Sequence, residues 1–285
     1  MLKQIEETVV HKKEENGYNQ APAMVLAICS GKGGAGKSFL SLNLGLKLSQ
    51  LNQRVLVIDA DLGLANVSLM ANLNPKHTID NVLKEECILS EAITTYSNLH
   101  ILAGTAEISQ ADMVFTEKEK GIRKILSEAR KSYDFILIDA QPGISLFNLS
   151  FFRDAGKLVL IATPQPTSIS NTYALLKFLL SKDPQKEIGI VWNMVSSQKE
   201  AGQLKEKFEI LCDTFLGLKI ADMGWVENDE QVEKSISKQI PLIIKYPFSQ
   251  AAVCIEKIAF GMINEKHQLE KSDLGVWQRA KAEVK

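Results

Sequence analysis

The segment GKGGAGKS at residues 31–38 limits the possible folds of this chain more than any other. It matches the pattern G-x-x-x-x-G-K-[ST], in which glycines let the backbone pass close to phosphate groups and point N–H groups at them. The apolar run Met24–Cys29 precedes it, and residues with helical spacing follow from Ser38. This order of strand, loop and helix N-terminus predicts a phosphate-binding loop. A glycine-rich turn without a ligand is the alternative, which the strand and helix disfavour.

Apolar runs rich in Val, Ile and Leu recur along the chain, and stretches with helical spacing lie between most of them. Strands that are apolar on both faces and alternate with helices indicate a parallel sheet covered on both sides. The sequence therefore predicts an α/β fold, a mostly parallel doubly wound sheet flanked by helices. Together with the phosphate loop, this arrangement resembles that of SIMIBI-like P-loop NTPases. The expected strands are Met24–Cys29, Arg54–Asp59, Leu99–Ala103, Phe135–Asp139, Leu158–Ala162 and Ile188–Trp192. The expected helices cover residues 38–48, 117–129 and 169–180, and an apolar stripe at helical spacing runs through 251–262.

The composition favours one large domain with short tails. The chain has 285 residues, of which 45% are hydrophobic, enough for a sizeable core. Its 33 basic and 34 acidic residues nearly balance, which argues against a nucleic-acid partner. The four cysteines have no metal-ligand spacing and are expected to be reduced thiols.

We expect a polar arm at 1–22, a P-loop ATPase domain at 23–265 and a tail at 266–285. No segment approaches the ~20 apolar residues that a spanning helix needs. A cytoplasmic protein is therefore expected, with any membrane contact peripheral, at the inner face of the cell membrane. As a helix, the tail would place Trp277 on a small apolar face with Arg279 and Lys281 nearby. Such a weak amphipathic helix can lie on an anionic membrane, and a frayed polar terminus is the alternative.

Five polar residues of these segments have the chemistry of a Mg²⁺–nucleotide site. Lys37 would neutralise phosphate charge, and the Ser38 hydroxyl would ligate Mg²⁺. A strand ends in Asp59 and Asp61, at the sheet edge where parallel sheets bind ligands. Asp61 is the candidate for orienting the attacking water, and Asp59 for supporting a switch segment or the Mg²⁺ shell; a helix cap or turn is the alternative for either. Asp139 closes another apolar run in the Walker B form and would hold a Mg²⁺-bound water.

Lys32, beside the first glycine of the loop, has no role in the simple phosphate-loop pattern, and a solvated surface lysine is one interpretation. However, the string Lys-Gly-Gly-x-Gly-Lys-Ser resembles the deviant Walker A sequence of the MinD/ParA/NifH group. That resemblance implies that Lys32 reaches the nucleotide of a partner chain in an ATP-bound homodimer. There it would stabilise charge developing on the transferring phosphoryl group.

The sequence DADLGLANV at 59–67 resembles the switch I segment of the FlhG family (also called FleN or YlxH), MinD-like ATPases of flagellar biogenesis. Segments 163–169, 173–177, 239–241 and 246–251 continue the resemblance. It implies an ATP-dependent dimer that binds the membrane, with the SRP-type GTPase FlhF or flagellar switch-complex proteins as partners. The chain departs from the family pattern at Ser68, Gln141-Pro142 and Glu227, and it lacks a clear N-terminal activator motif, of which Asn19-Gln20-Ala21 is only a fragment.

The predicted function is an ATP-dependent dimerisation switch with slow, Mg²⁺-dependent ATP hydrolysis that regulates flagellar number or placement. The alternatives are a MinD-type division-site regulator, a ParA-like DNA-segregation ATPase and an ATP-binding scaffold with negligible turnover.

Asn193 would pair with adenine or is an ordinary turn residue. The predicted catalytic residues are Lys32, Lys37 and Asp61, and the predicted metal residues are Ser38, Asp59 and Asp139. The predicted nucleotide-binding residues are Gly31, Lys32, Gly33, Gly34, Ala35, Gly36, Lys37, Ser38, Phe39, Asn193, Val226 and Glu227.

Overall fold

The computed structural model describes residues 22–61, 65–104 and 115–283, so the predicted arm at 1–22 lies outside it except for Pro22. Within these ranges eight strands form one sheet. In chain order they are β1 (Met24–Cys29), β2 (Val55–Ala60), β3 (Ile93–Tyr96), β4 (Leu99–Leu102), β5 (Phe135–Ala140), β6 (Lys157–Ala162), β7 (Glu187–Val195) and β8 (Ala221–Glu227).

The strand order across the sheet is β3-β4-β2-β5-β1-β6-β7-β8, and every neighbouring pair is parallel except β3 with β4. This confirms the predicted mostly parallel α/β fold, and each of the six predicted apolar runs lies in a strand. The two strands that were not predicted, β3 and β8, form the edges of the sheet and are largely only half-buried or exposed. Edge strands need no continuous apolar run, because one side of each meets solvent.

The helices described are α1 (Lys37–Gln50), α2 (Asn66–Met70), α3 (Ile79–Leu83), α4 (Leu89–Ala92), α5 (Phe115–Ala129), α6 (Leu146–Asp154), α7 (Pro166–Lys182), α8 (Gln198–Leu216), α9 (Glu230–Ser237), α10 (Leu242–Lys245) and α11 (Gln250–Glu283). They cover both faces of the sheet. On one face α1, α10 and α11 pack over a core that includes Leu26, Val57 and Leu137. On the other, α5 to α8 pack over a core that includes Ala27, Ile58 and Ile138. Neighbouring residues of each strand thus enter opposite cores, as the pleat of a strand requires.

Helix α11 packs along α1 and β8, and the predicted stripe through 251–262 is its buried face. Buried ion pairs hold it further along. Lys266 lies 3.6 Å from Asp134, which precedes β5, and Lys157 of β6 pairs with Glu265. The helix continues past residue 266 without a break, while the side chains from 272 onward lie outside the described part. The predicted division into domain and tail stays a prediction.

No helix in the described ranges combines the length and the apolar character that a membrane crossing requires.

Candidate functional site

The glycine loop lies between β1 and α1, as the sequence predicts. Gly34 and Gly36 have φ angles of 74° and 90°, a backbone conformation that side chains with a Cβ rarely adopt. Gly36 is also the N-cap residue of α1, without a side-chain hydrogen bond to the first turn. A Cβ on Gly31 would lie 2.4 Å from the backbone carbon of Asn171 in α7. Glycine is thus required for conformation at one end of the loop and for close packing at the other.

The first turn of α1 faces the end of β5. Lys37 is only 6% exposed, and the Ser38 hydroxyl lies near the Asp139 carboxylate, whose pKa it lowers. The hydroxyl of Ser41, one turn further, donates to Asp139 Oδ1 at 3.4 Å. The predicted phosphate lysine, metal hydroxyl and Walker B aspartate therefore meet in one place.

Asp139 has an unusual environment, because it is fully buried and its Oδ2 finds no hydrogen-bond partner in the described part of the chain. Burial raises the pKa of Asp139 to about 7, and the nearby Asp61 carboxyl raises it too. The Ser38 hydroxyl and the Lys37 charge act in the opposite direction and only partly offset these effects. A buried carboxylate oxygen without a donor is the kind of group that a bound cation satisfies.

Asp59 stands directly beside Asp139, since the two residues are in register on β2 and β5. Both of its oxygens accept backbone hydrogen bonds, Oδ1 from Asp61 N at 3.1 Å and Oδ2 from Val67 N at 3.1 Å. Burial, followed by the charge of Asp139, raises its pKa well above the ordinary value. Asp59 thus joins the two ends of the switch I segment, whose residues 62–64 lie outside the described ranges. Of the two predicted roles, the hydrogen bonds favour the switch.

Asp61 is half-buried at the mouth of the site. Its Oδ2 accepts a hydrogen bond from Asn66 Nδ2 at 3.3 Å. Burial raises its pKa, and the charge of Lys37 and the Asn66 hydrogen bond lower it. The carboxyl therefore lies within electrostatic range of Lys37, where a water-orienting group would stand.

Lys32 makes a different contact. Its Nζ donates a hydrogen bond to Gln165 Oε1, at the N-cap of α7. Its neighbour Ser30 donates from Oγ to the Lys32 carbonyl at 2.6 Å. The two lysines of the loop therefore have different surroundings: Lys32 bonds to Gln165, whereas Lys37 is buried and its charge acts on Asp61 and Asp139.

Asn193, the residue predicted to contact adenine, already hydrogen-bonds within the protein. Asn193 Nδ2 donates to the Ala35 carbonyl at 2.8 Å, and a Cβ on Gly36 would lie 2.2 Å from that nitrogen. Asn193 therefore braces the phosphate loop, and its contact with adenine stays a prediction. The side chains of Phe39 and Val226 are buried in the apolar core, so a nucleotide could meet only their backbone groups. Glu227 ends β8 and is half-buried.

Sequence reasoning missed Asn148, a fully buried residue of α6 whose amide bonds the loop after Asp139. An asparagine three residues after a serine cap gives no local signal of that contact.

These features fit Mg²⁺ with a nucleoside triphosphate. Left-handed glycines and a helix N-terminus suit phosphate oxygens, and a buried lysine suits their charge. Nowhere in the described ranges do three or more His, Cys, Asp or Glu residues cluster to hold a metal by themselves. Ser38 and the free Asp139 oxygen would instead supply part of a shell that phosphate oxygens and water complete, as is usual for Mg²⁺.

Comparisons with known proteins agree with this geometry. A family model described as an AAA domain matches residues 23–188. The chain is 31% identical to the antiactivator FleN of Pseudomonas aeruginosa over 239 residues, which cover 84% of this chain and 85% of FleN. It is 27% identical to the flagellum site-determining protein YlxH of Helicobacter pylori, covering 78% and 75% of the two chains. The septum site-determining protein MinD of Pyrococcus horikoshii, solved with Mg-ADP, superposes with a TM-score of 0.69 at 23% identity, covering 83% and 94%.

Proposed function

The chain belongs to the AAA-domain family and, with FleN, to the MinD/ParA-type P-loop ATPases, and from this premise we propose that it is an ATP-dependent dimerisation switch that sets flagellar number or placement. As a member of this family it is an ATPase that uses ATP and Mg²⁺. The finer steps, dimerisation and the flagellar role, are the content of the proposal.

The position of Lys32 carries the dimer proposal. Its ammonium turns to Gln165, whereas Lys37 is the lysine whose charge acts on Asp61 and Asp139. One buried lysine already serves the chain's own site, so the second is available for the nucleotide of a neighbouring copy. A cation delivered in this way stabilises charge on the transferring phosphoryl group. Hydrolysis would then return the dimer to monomers.

Each residue of the site has a proposed task. The loop amides and Lys37 would bind the phosphates, and Ser38 and Asp139 would hold Mg²⁺, which when bound neutralises phosphate charge. Asp61 orients the attacking water, and Asp59 keeps the switch I segment over the site. Together with Lys32 from the partner copy, these groups position and polarise the reactants, which is most of what phosphoryl transfer requires.

An Asp61→Ala variant tests the switch, because it should bind ATP without hydrolysing it. We expect size-exclusion chromatography with light scattering to show a monomer with ADP and a stable dimer with ATP and Mg²⁺. Adding Lys32→Ala to this variant should weaken the dimer, whereas adding Lys207→Ala, on the exposed side of α8, should not. An Asp61→Ala protein that stays monomeric with ATP and Mg²⁺ would refute the switch.

The flagellar role is supported by the names of two relatives, FleN and YlxH, and the division-site role by the MinD relatives. Deleting the gene in its host and counting flagella per cell by electron microscopy separates them. We expect an altered number or position of flagella with normal septum placement. Misplaced septa with unchanged flagella would favour the MinD-type function. Pull-down with the Asp61→Ala dimer would show whether FlhF or a switch-complex protein is the partner.

A further inference from the structure

The side chain of Asn148, fully buried in the first turn of α6, bonds to the loop that follows Asp139. Asn148 Oδ1 accepts from Gln141 N at 3.2 Å. Asn148 Nδ2 donates to the Gln141 carbonyl at 3.0 Å and to the Gly143 carbonyl at 3.3 Å. The side-chain amide therefore pairs with both backbone groups of Gln141 and with the carbonyl of Gly143.

Only an amide of this length suits the position. An aspartate would keep the acceptor for Gln141 N but would turn a carboxylate toward two carbonyl oxygens. A leucine branches at the same atom, is larger, and would remove all three side-chain hydrogen bonds to the loop, which is costly in a buried place. The backbone N–H of Asn148 donates to Ser145 Oγ at 3.0 Å, so the helix cap sets the position of the residue.

The same loop is bonded to the phosphate loop. Gly143 N donates to the Ser30 carbonyl at 2.9 Å, and Ser30 Oγ donates to the Lys32 carbonyl at 2.6 Å. A continuous set of hydrogen bonds therefore runs from Asn148 through Gly143 and Ser30 to Lys32. The turn begins two residues after Asp139, and hydrogen bonds through Ser30 connect it to the backbone of Lys32.

We propose that Asn148 is a positioning residue for ATP hydrolysis: it holds the Gln141–Gly143 turn in one conformation and so sets both the loop beside Asp139 and the backbone of Lys32. This inference rests on the proposed function of the site in ATP hydrolysis. Within the described ranges the side-chain hydrogen bonds of Asn148 go to the turn and not to the residues assigned to bind phosphate.

Positioning and simple structural support make different predictions for enzyme kinetics. ADP is bound mainly by the loop amides and Lys37, which Asn148 does not contact, so its affinity should change less than about twofold. The kcat should fall by roughly tenfold or more, as is usual when a group that orients active residues is removed. Asn148→Asp keeps the bond to Gln141 N but places a carboxylate against two carbonyl oxygens, and Asn148→Leu keeps none of the three bonds, so both variants should lose kcat.

The experiment compares Asn148→Asp, Asn148→Leu and Ser150→Ala, with kcat, the affinity for a fluorescent ADP analogue and the thermal unfolding midpoint measured for each. Ser150 is the matched control, since it is a buried residue of the same helix and its Oγ has no partner in the described part of the chain. Ser150→Ala should match the wild type in kcat and ADP affinity.

Unchanged kcat in both Asn148 variants would overturn the inference. So would a loss of kcat that is matched by an equal loss of ADP affinity and by a parallel fall in the unfolding midpoint. A wild-type chain without ATP hydrolysis would instead refute the proposed function, which keeps the two failures distinct. If Asn148→Leu does not fold, the kcat and ADP affinity of Asn148→Asp, which keeps the bond to Gln141 N, decide the matter.

Discussion

At the scale of single residues, the two adjacent aspartates of the sheet illustrate how environment separates identical side chains. Asp59 and Asp139 are both fully buried and in register, and both have raised pKa values. Asp59 has both oxygens bonded to backbone N–H groups, whereas Asp139 keeps one oxygen without a partner. Asp59 is therefore structural in the ligand-free protein, and Asp139 remains available for a cation.

This arrangement makes the ionised form of Asp139 destabilising in the ligand-free protein. Burial raises its pKa from 3.8 to about 7, so the folded protein holds a proton that the unfolded chain would release. The contribution of Asp139 to stability therefore falls as the pH rises from 3.8 and levels off above about 7. Ionising the carboxyl without Mg²⁺ leaves a buried charge that Lys37 and the serine hydroxyls only partly offset.

We predict that Asp139→Asn raises the unfolding midpoint of the nucleotide-free protein by a few degrees at pH 8, with a smaller gain at pH 5. The same variant should lose Mg²⁺-dependent ATP hydrolysis. Calorimetry at both pH values and a phosphate-release assay measure the two effects. Asp213→Asn removes the same charge from the exposed surface of α8 and should change neither. A variant that is less stable than the wild type at pH 8 would contradict the prediction.

At the scale of elements, the Asp134 carboxylate connects β2, β5 and α11 at the amino ends of the strands, away from the candidate site. Asp134 accepts hydrogen bonds from Arg54 N at 2.8 Å and from the Arg54 guanidinium at 2.9 Å, and Lys266 lies 3.6 Å away. Burial alone raises the pKa of Asp134, but the Arg54 hydrogen bonds and the charge of Lys266 outweigh it and lower the pKa to about 2. The start of β2, the start of β5 and the middle of α11 are thereby held together.

Asp134→Asn should therefore destabilise the fold at pH 7 by about 2 kcal/mol, since one pKa unit corresponds to about 1.4 kcal/mol. A pKa below the ordinary 3.8 means that this stabilisation is present above that value and is lost as the pH falls toward 2. The difference between wild type and variant in chemical denaturation should shrink over the same range. Glu85→Gln, which breaks an exposed pair with Lys124, should change stability by less than about 0.5 kcal/mol. A constant difference from pH 7 to pH 2 would contradict the assignment.

At the scale of the whole molecule, the phosphate loop, the switch I segment and the turn after Asp139 meet at the carboxyl ends of the central strands. This is where a parallel sheet places its ligands, because loops on that side separate around neighbouring strands. The proposed dimer would bring two such edges together, so that each copy supplies Lys32 to the other.

Mixing two inactive variants tests this exchange. Lys32→Ala lacks the trans lysine, and Asp61→Ala lacks the water-orienting carboxyl, so a mixed dimer contains one complete site. An equal mixture should recover up to about one quarter of the wild-type rate per chain, since half the dimers are mixed and one of their two sites works. Phosphate release measures the recovery. Replacing the Asp61→Ala chain by the double variant Lys32→Ala, Asp61→Ala should abolish it. A mixture no more active than its components would show that Lys32 does not act across the dimer.

Elements and motifs whose signal lies in a few consecutive residues could be predicted from the sequence alone. The phosphate loop, the six apolar strands and the aspartates at the ends of β2 and β5 follow from spacing and periodicity over a few residues. These signals are local, and burial on both faces of a parallel sheet makes them strong. The family relationship rested on the same short segments, and the matched family model and FleN agree with it.

Only the tertiary structure decided which distant groups meet. The antiparallel edge strand β3, the Lys32–Gln165 bond and the Asn193–Ala35 bond join residues that have no shared local pattern. The roles of Asp59 and Asp139 also diverged only there, because pKa and hydrogen bonding depend on what packing places around each carboxyl. Eight consecutive residues are therefore enough to predict the phosphate loop, whereas the groups that contact it are distant in sequence and meet only in the folded sheet.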